Sequence, residues 1–177
     1  METQNGLIHI YCGDGKGKTT AAMGLALRCA GHGETVVIAQ FLKDGASGES
    51  RLLAKLDNVT LLAANPVGKF SKAMNEAECE ESEQAMARTF RAATDFAARE
   101  HARMLVLDEV CAAIAAGMLE EWDVLDFLDH KPDDLEVVMT GRNPTLRMQQ
   151  RADYISEICK RKHPFDQGIR AREGIEK

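Results

Sequence analysis

The stretch Gly13-Asp14-Gly15-Lys16-Gly17-Lys18-Thr19-Thr20 decides the fold of this chain. It follows an apolar run, Leu7–Cys12, that predicts a strand, and it opens a helical pattern from Thr19 to Ala30. A glycine-rich loop that ends in Gly-Lys-Thr between a strand and a helix is the context of a phosphate-binding P-loop. The sequence therefore predicts that residues 13–20 bind the phosphates of a nucleotide.

Each residue type in this loop has a physical role in holding phosphate. Glycines let backbone N–H groups turn toward phosphate oxygens, and the positive end of the next helix faces the same oxygens. Lys18 adds a mobile positive charge, and the Thr19 hydroxyl stands where Mg²⁺ would bind. The spacing is unusual, because Cys12 occupies the place of the usual first glycine and Lys16 adds a second cation. A glycine-rich turn without a ligand is the alternative, and the flanking strand and helix make it the weaker one.

A second motif, Met104-Leu105-Val106-Leu107-Asp108-Glu109, ends a predicted buried strand in two acids. Such a strand delivers a carboxylate beside the P-loop, where it holds Mg²⁺ directly or through water. We predict a metal site of Thr19, Glu109 and Asp108, with Asp108 in a supporting position. The alternative is a helix that begins with capping acids, but a bound triphosphate needs a metal and a carboxylate partner.

The rest of the chain alternates predicted strands and helices. The segments are strands at Thr35–Phe41, Val59–Ala63, Leu135–Thr140 and Tyr154–Ile158, and helices at Ser50–Leu56, Asn75–Arg103, Cys111–Gly117 and Glu121–His130. This alternation is typical of a parallel sheet covered by helices on both faces. We predict an α/β fold of the P-loop NTPase (RecA-like) class, as a single domain over residues 1–177.

Arg142 is a further candidate for phosphate binding. It follows a predicted strand, and the carboxyl ends of strands in such sheets form ligand sites. Asn143 is predicted to cap a helix that has Pro144 at its first position. A surface arginine without a role is the alternative for Arg142. His163 is expected to be structural or solvated, as lone histidines usually are.

Composition narrows the class of protein. The chain has 177 residues, 45% of them hydrophobic, and a formal net charge of −6, which argues against nucleic acid as a main partner. Its five cysteines form no C-x-x-C pair, so neither a zinc site nor a disulfide framework is expected. The sequence shows no signal peptide and no long apolar span, so we expect a cytoplasmic protein without membrane contact. Trp122 and Phe127 are predicted to lie in the core or at an interface.

Several motifs together resemble the P-loop family of ATP:corrinoid adenosyltransferases, also called cob(I)alamin adenosyltransferases. The loop variant and the tail Lys162-His163-Pro164-Phe165-Asp166-Gln167-Gly168 are the most specific of them. The other matching segments are Gln40–Gly45, Gly48–Glu49, Val106–Glu109, Thr140–Arg142 and Ala152–Asp153. The chain differs from some members in lacking an N-terminal extension and in keeping only Phe70 of an aromatic segment.

The resemblance implies transfer of the 5′-deoxyadenosyl group of ATP to cobalt(I) of a corrinoid, with release of triphosphate. It implies that the loop grips the γ-phosphate and leaves C5′ open to cobalt. Lys18, Arg142 and Phe70 would be the catalytic side chains, with Phe70 excluding the axial ligand of cobalt(II). Mg²⁺, replaceable by Mn²⁺, would serve as cofactor, a reduced flavoprotein as electron donor, and a homodimer as the assembly.

Two other classes of function remain open on the residues alone. An ATPase or small-molecule kinase would release ADP, and a nucleotide-dependent regulatory module would bind ATP with little turnover. The chain has no kinase signature set and no Asn-Lys-x-Asp motif for guanine.

Overall fold

The computed structural model describes residues 5–42, 47–64 and 75–176. The strands are β1 Ile8–Cys12, β2 Val36–Gln40, β3 Val59–Ala63, β4 Met104–Asp108, β5 Glu136–Thr140 and β6 Tyr154–Glu157. The helices are α1 Lys18–Gly31, α2 Gly48–Leu53, α3 Glu76–Arg99, α4 Val110–Ala115, α5 Glu121–His130 and α6 Leu146–Arg151, followed by a 3₁₀ turn at Pro164–Gln167.

All six strands form one sheet in the order β3-β2-β4-β5-β1-β6, and each neighbouring pair runs parallel. The predicted α/β fold is therefore confirmed. Strand β5 lies between β1, which leads into the glycine-rich loop, and β4, which carries the paired acids. Because parallel strands end at the same edge, this order brings the loop, the acids and the β5 end together.

Helices cover both faces of the sheet, and β4 shows how the sequence specifies this. All five of its residues are buried, as expected of a central parallel strand. Leu105 and Leu107 join the core on the side of α3, α4 and α5, while Met104 and Val106 join the core on the side of α1 and α2. Successive side chains on a strand point to opposite faces, so one apolar run supplies both cores.

Helix α3 follows the predicted amphipathic pattern. Its buried face includes Met86, Phe90, Ala93 and Ala97. Asn75 and Glu78 cap its first turn in a reciprocal capping box. The helix ends at Arg99, which is earlier than the predicted Arg103. His101 adopts a positive φ of 50°, and the backbone N–H of Arg103 donates to the carbonyl of Thr35 at 2.9 Å, so the chain is already entering the sheet.

The predicted cap at Asn143 is wrong. Asn143 has a positive φ of 53°, whereas an N-cap residue needs an extended backbone. Thr145 has that backbone and accepts a hydrogen bond from the N–H of Met148 at 3.2 Å, so α6 begins two residues after Pro144.

Two aromatic side chains of α5 separate into different environments. Trp122 is 70% exposed and does not belong to the core, whereas Phe127 packs against the core and meets Phe90 edge to face. Among the helices of residues 5–42, 47–64 and 75–176, none combines the length and the apolar character needed to cross a membrane.

Candidate active site

The glycine-rich loop connects the end of β1 at Cys12 to the start of α1 at Lys18. Gly17 precedes the helix with a φ of +119°, a conformation that favours glycine. The first N–H groups of a helix have no partner within it, and the helix dipole adds positive potential there. Lys18 and Thr19 therefore lie at an N-terminus suited to anions.

The loop rests on the chain that leaves β6. A Cβ atom at Gly13 would lie 2.5 Å from the carbonyl oxygen of Ile158, and one at Gly15 would lie 2.7 Å from it. The N–H of Gly15 donates to that same oxygen at 2.7 Å. A close backbone contact thus requires glycine at both positions, in addition to the predicted role of these glycines in phosphate binding.

Asp14 adds a second link between the loop and this tail. Its carboxylate accepts a hydrogen bond from the backbone N–H of Lys160 at 2.8 Å. This bond lowers the pKa of Asp14, and the positive charges of Lys160 and Arg142 act in the same direction. The residue predicted as a nucleotide contact therefore also fastens the loop to the tail.

Lys18 is almost fully buried, with 9% of its surface exposed. Its ammonium group donates to the carbonyl of Gly15 at 2.9 Å, so the charge is held against the loop. A lysine in this position provides a positive charge close to the anion site of the helix N-terminus.

Asp108 links the end of β4 to the loop and to β5. It is fully buried, and one carboxylate oxygen accepts hydrogen bonds from the hydroxyls of Thr19 at 2.9 Å and Thr140 at 2.7 Å. The other oxygen accepts a bond from the side-chain amide of Gln40 at 3.0 Å. Asp108 is therefore the acid of β4 that contacts Thr19.

Glu109 occupies a different position from its neighbour. It lies at the start of α4 with a positive φ of 64°, and its backbone N–H donates to the Thr140 hydroxyl at 2.8 Å. This turn directs the chain away from β4, and Glu109 lines the same cleft as the loop. Thr19, Asp108 and Glu109 together offer hydroxyl and carboxylate oxygens, the donor types that Mg²⁺ prefers.

A cleft of about 1250 Å³ opens over the carboxyl edge of the sheet. Most of the predicted site residues line it, namely Asp14, Gly15, Lys16, Gly17, Lys18, Thr19, Thr20, Glu109 and Arg142. Gly13 lies beneath the loop against the tail, and Asp108 lies behind Thr19. Phe70 falls outside the described residues.

Two further walls enclose the cleft beside the glycine-rich loop and Glu109. One is α2 with the residues before it, and the other is the tail that includes the 3₁₀ turn. Several exposed apolar side chains line these walls and the adjoining face of α1, namely Leu27, Leu52, Phe165, Ile169 and Ile175. Phe165 is 71% exposed. The motif Lys162–Gly168 contributes to the family resemblance, and that resemblance was the available signal for this wall.

The thiols near the loop are poor nucleophiles. Burial raises the pKa of Cys12 above its ordinary value and raises that of Cys111 to about 12. Both therefore remain protonated at neutral pH, and a neutral thiol is much less reactive than a thiolate.

Comparison with known proteins identifies the family of the chain. The chain is 32% identical to the corrinoid adenosyltransferase of Escherichia coli K12, and the alignment covers 99% of this chain and 87% of the relative. Corrinoid adenosyltransferase CobA of Salmonella typhimurium is also 32% identical over the same shares, and that of a Sinorhizobium species is 33% identical over 98% and 81%. A model of the family described as ATP:corrinoid adenosyltransferase BtuR/CobO/CobP matches residues 4–176. On the strength of these matches and of its fold, the chain belongs to the BtuR/CobO/CobP family of ATP:corrinoid adenosyltransferases.

Proposed function

We propose that this corrinoid adenosyltransferase joins C5′ of ATP to the cobalt of a corrinoid within the cleft, giving adenosylcobalamin or adenosylcobinamide. The electron pair of cobalt(I) forms the cobalt–carbon bond while the bond from C5′ to the triphosphate oxygen breaks, so triphosphate leaves with the electron pair of that bond. The observation that carries the proposal is a single cleft with a phosphate loop on one side and exposed apolar side chains on the other.

The protein's task in this reaction is positioning and anion stabilisation. Cobalt(I) is itself a strong nucleophile, so no general base is required. Orientation of the two reactants and stabilisation of the departing polyanion are then the main sources of rate enhancement. We assign the second task to the amides of residues 16–20, to Lys18 and to Arg142, which line the cleft together.

We assign a divalent cation, Mg²⁺ or Mn²⁺ in its place, to Thr19, Asp108 and Glu109. The support is the set of hard oxygen donors at the loop end of β4 and the 2.9 Å bond between Thr19 and Asp108. When bound, the cation neutralises part of the charge of the triphosphate. Asp108 orients the Thr19 hydroxyl, and Glu109 is the acid that lines the cleft.

We assign the corrin ring to the apolar walls of the cleft. The macrocycle is broad and presents apolar faces, so a binding surface needs exposed apolar side chains next to the phosphate loop. Leu52 of α2 and Phe165 and Ile169 of the tail meet this need.

Phe70 keeps its predicted role as a proposal. A large apolar side chain against the lower face of cobalt(II) would exclude its axial ligand and make reduction to cobalt(I) easier. Phe70→Ala should therefore slow the reaction that starts from cobalt(II) and a reduced flavoprotein. With chemically prepared cobalt(I) the loss should be much smaller, and equal losses in both assays would reduce Phe70 to a packing residue.

The assembly and setting are further proposals. We propose a homodimer of single-domain chains that receives electrons from a reduced flavoprotein in the cytoplasm. The free thiols of all five cysteines fit a reducing compartment. Light scattering of the purified chain should give twice the monomer mass of 19.5 kDa.

The leaving group tests the proposed reaction. The chain is mixed with ATP, Mg²⁺ and chemically reduced cobalamin, and the products are followed by phosphorus NMR and by the visible spectrum of the cobalt–carbon bond. We expect triphosphate and adenosylcobalamin in equal amounts, and no triphosphate when cobalamin is omitted. Stoichiometric ADP and phosphate would instead identify an ATPase or kinase.

A further inference from the structure

A chain of buried side chains runs from Asp108 to the beginning of α2. The side-chain amide of Gln40 donates to Asp108 at 3.0 Å, and the Ser50 hydroxyl donates to the carbonyl oxygen of that amide at 2.9 Å. The hydroxyls of Ser50 and Ser47 lie 2.8 Å apart. Asp108, Gln40 and Ser50 are all fully buried.

The direction of these hydrogen bonds follows from the chemistry of the groups. An ionised carboxylate only accepts, so the NH₂ group of Gln40 must face Asp108 and its carbonyl oxygen must face Ser50. The single proton of the Ser50 hydroxyl is then committed to Gln40. The Ser47 hydroxyl must therefore donate to Ser50, and every donor in the chain points toward the carboxylate.

A buried row of hydrogen bonds fixes the orientation of its side chains more strictly than an exposed one does. Buried polar groups carry a large desolvation cost unless every bond is made, and aligned bonds strengthen one another. Rotation of the Gln40 amide would set its carbonyl oxygen against the carboxylate of Asp108. The orientation of Asp108 is thus tied to the position of Ser50.

The two ends of this chain lie at different walls of the cleft. At one end Asp108 holds the Thr19 hydroxyl of the loop. At the other end Ser47 caps α2, whose residues Gly48, Glu49 and Leu52 line the opposite wall. Strand β2, which supplies Gln40, pairs directly with β4, with Gln40 and Asp108 in register.

We propose that Gln40 is a positioning residue that orients Asp108 for the divalent cation, and that Ser50 holds Gln40 in the orientation this requires. The inference rests on the proposed cation site. Helix α2 would then help to position the cation through Ser50 and Gln40, although none of the ligands proposed above belongs to α2.

The test measures binding of Mn²⁺ in the presence of ATP, from the electron paramagnetic resonance signal of free Mn²⁺ and without any corrinoid. Gln40→Met keeps the length of the side chain and removes both polar atoms. Loss of a group that orients a metal ligand typically weakens metal binding by about 10- to 100-fold, and we expect a loss in this range. Ser50→Ala should weaken binding in the same direction by a smaller factor.

A double variant shows whether Ser50 acts on the cation site through Gln40 or independently of it. If Ser50 acts through Gln40, adding Ser50→Ala to Gln40→Met should produce little further loss. The matched control is Ser82→Ala, which alters another fully buried serine, on α3. It should lower the thermal unfolding temperature without changing the Mn²⁺ dissociation constant.

Unchanged Mn²⁺ affinity in Ser50→Ala and Gln40→Met, with a loss of thermal stability like that of Ser82→Ala, would overturn the inference. Should Gln40→Met fail to fold, the Mn²⁺ affinity of Ser50→Ala alone tests the inference, because this variant removes only one hydroxyl group. Failure of the proposed reaction would be seen separately, as a wild-type chain that binds Mn²⁺ and ATP but forms no cobalt–carbon bond.

Discussion

The two sides of the cleft differ in burial and in the kind of contact that holds them together. On the phosphate side, Asp108, Gln40 and Thr140 are fully buried and joined by short hydrogen bonds. On the tail side, Phe165 and Ile169 are exposed, and surface ion pairs such as Lys160 with Asp166 at 3.1 Å connect the backbone turns. Surface pairs of this kind contribute little to stability, whereas buried networks fix a single geometry.

In the proposed reaction, this difference suits the different demands of the two substrates. The departing triphosphate needs charges at fixed positions, because electrostatic stabilisation depends on groups that are oriented before the reaction begins. A corrin ring needs a broad apolar surface that tolerates small changes of position. The rigid side of the cleft therefore suits the triphosphate of ATP, and the exposed apolar side suits the corrin ring.

The largest expected effect comes from removing the buried charge of the phosphate side. Lys18→Ala should lower turnover about a hundredfold, because one contact to a developing anion is worth about 3 kcal/mol. The measurement is the rate of adenosylcobalamin formation from chemically prepared cobalt(I). Lys16→Ala is the matched control, since Lys16 is exposed on the same loop and should lose much less.

The cation site offers the next largest effect. Thr19→Ala and Glu109→Ala should each raise the Mg²⁺ concentration needed for half-maximal rate by about tenfold, because each removes one bond to a charged group worth roughly 1.5–3 kcal/mol. The rate is measured across a Mg²⁺ titration at saturating ATP. An unchanged requirement in Glu109→Ala would remove Glu109 from the proposed site and leave Asp108 as its carboxylate ligand.

The contrast between the two sides also explains what the sequence could predict. The parallel sheet followed from apolar runs such as Met104–Asp108, and the loop followed from its glycines, because both are local patterns. Segment ends were less accurate, since the end of α3 depends on the contact of Arg103 with Thr35 across the sheet. The cap at Thr145 was missed because Asn143 is an equally good capping residue by type, and only its backbone conformation excludes it.

Prediction reached the cleft-lining residues of the glycine-rich loop but largely missed those of the tail. Lys18, Thr19 and Glu109 stand in motifs whose residue types are dictated by phosphate and cation chemistry. Phe165, to which we assign contact with the corrin ring, has no residue type or spacing that distinguishes it from a core residue. The contact of Gly13 and Gly15 with Ile158 joins positions far apart in the chain, which no local pattern reveals.

The tail side should respond more weakly to mutation. Phe165→Ala should raise the KM for cobalamin by a few fold to about tenfold, because complete burial of such a side chain is worth roughly 1.5–3 kcal/mol and contact with one face of a ring buries only part of it. The KM for ATP should remain unchanged in the same steady-state assay. Ile155→Ala, which alters an exposed apolar residue of β6, should change neither constant.

The smallest effect is a difference in thiol reactivity between the two sides. Cys159 is exposed in the tail, whereas burial raises the pKa of Cys111 in α4 to about 12. At pH 8 iodoacetamide should modify Cys159 first and leave Cys111 intact until the chain is unfolded, because only the thiolate reacts. Mass spectrometry of timed samples would detect the order, and early labelling of Cys111 would contradict the rigidity of its side.

The contact between the glycine-rich loop and Ile158 has a consequence for the order in which the molecule is assembled. The loop is synthesised near the start of the chain, yet the surface that supports Gly13 and Gly15 comes after β6. A nascent chain that has been synthesised as far as β5 has all the strands on one side of β1, but it does not yet have the segment after β6 that supports the loop. A chain interrupted before Ile158 would therefore lack the backbone contact that supports Gly13 and Gly15.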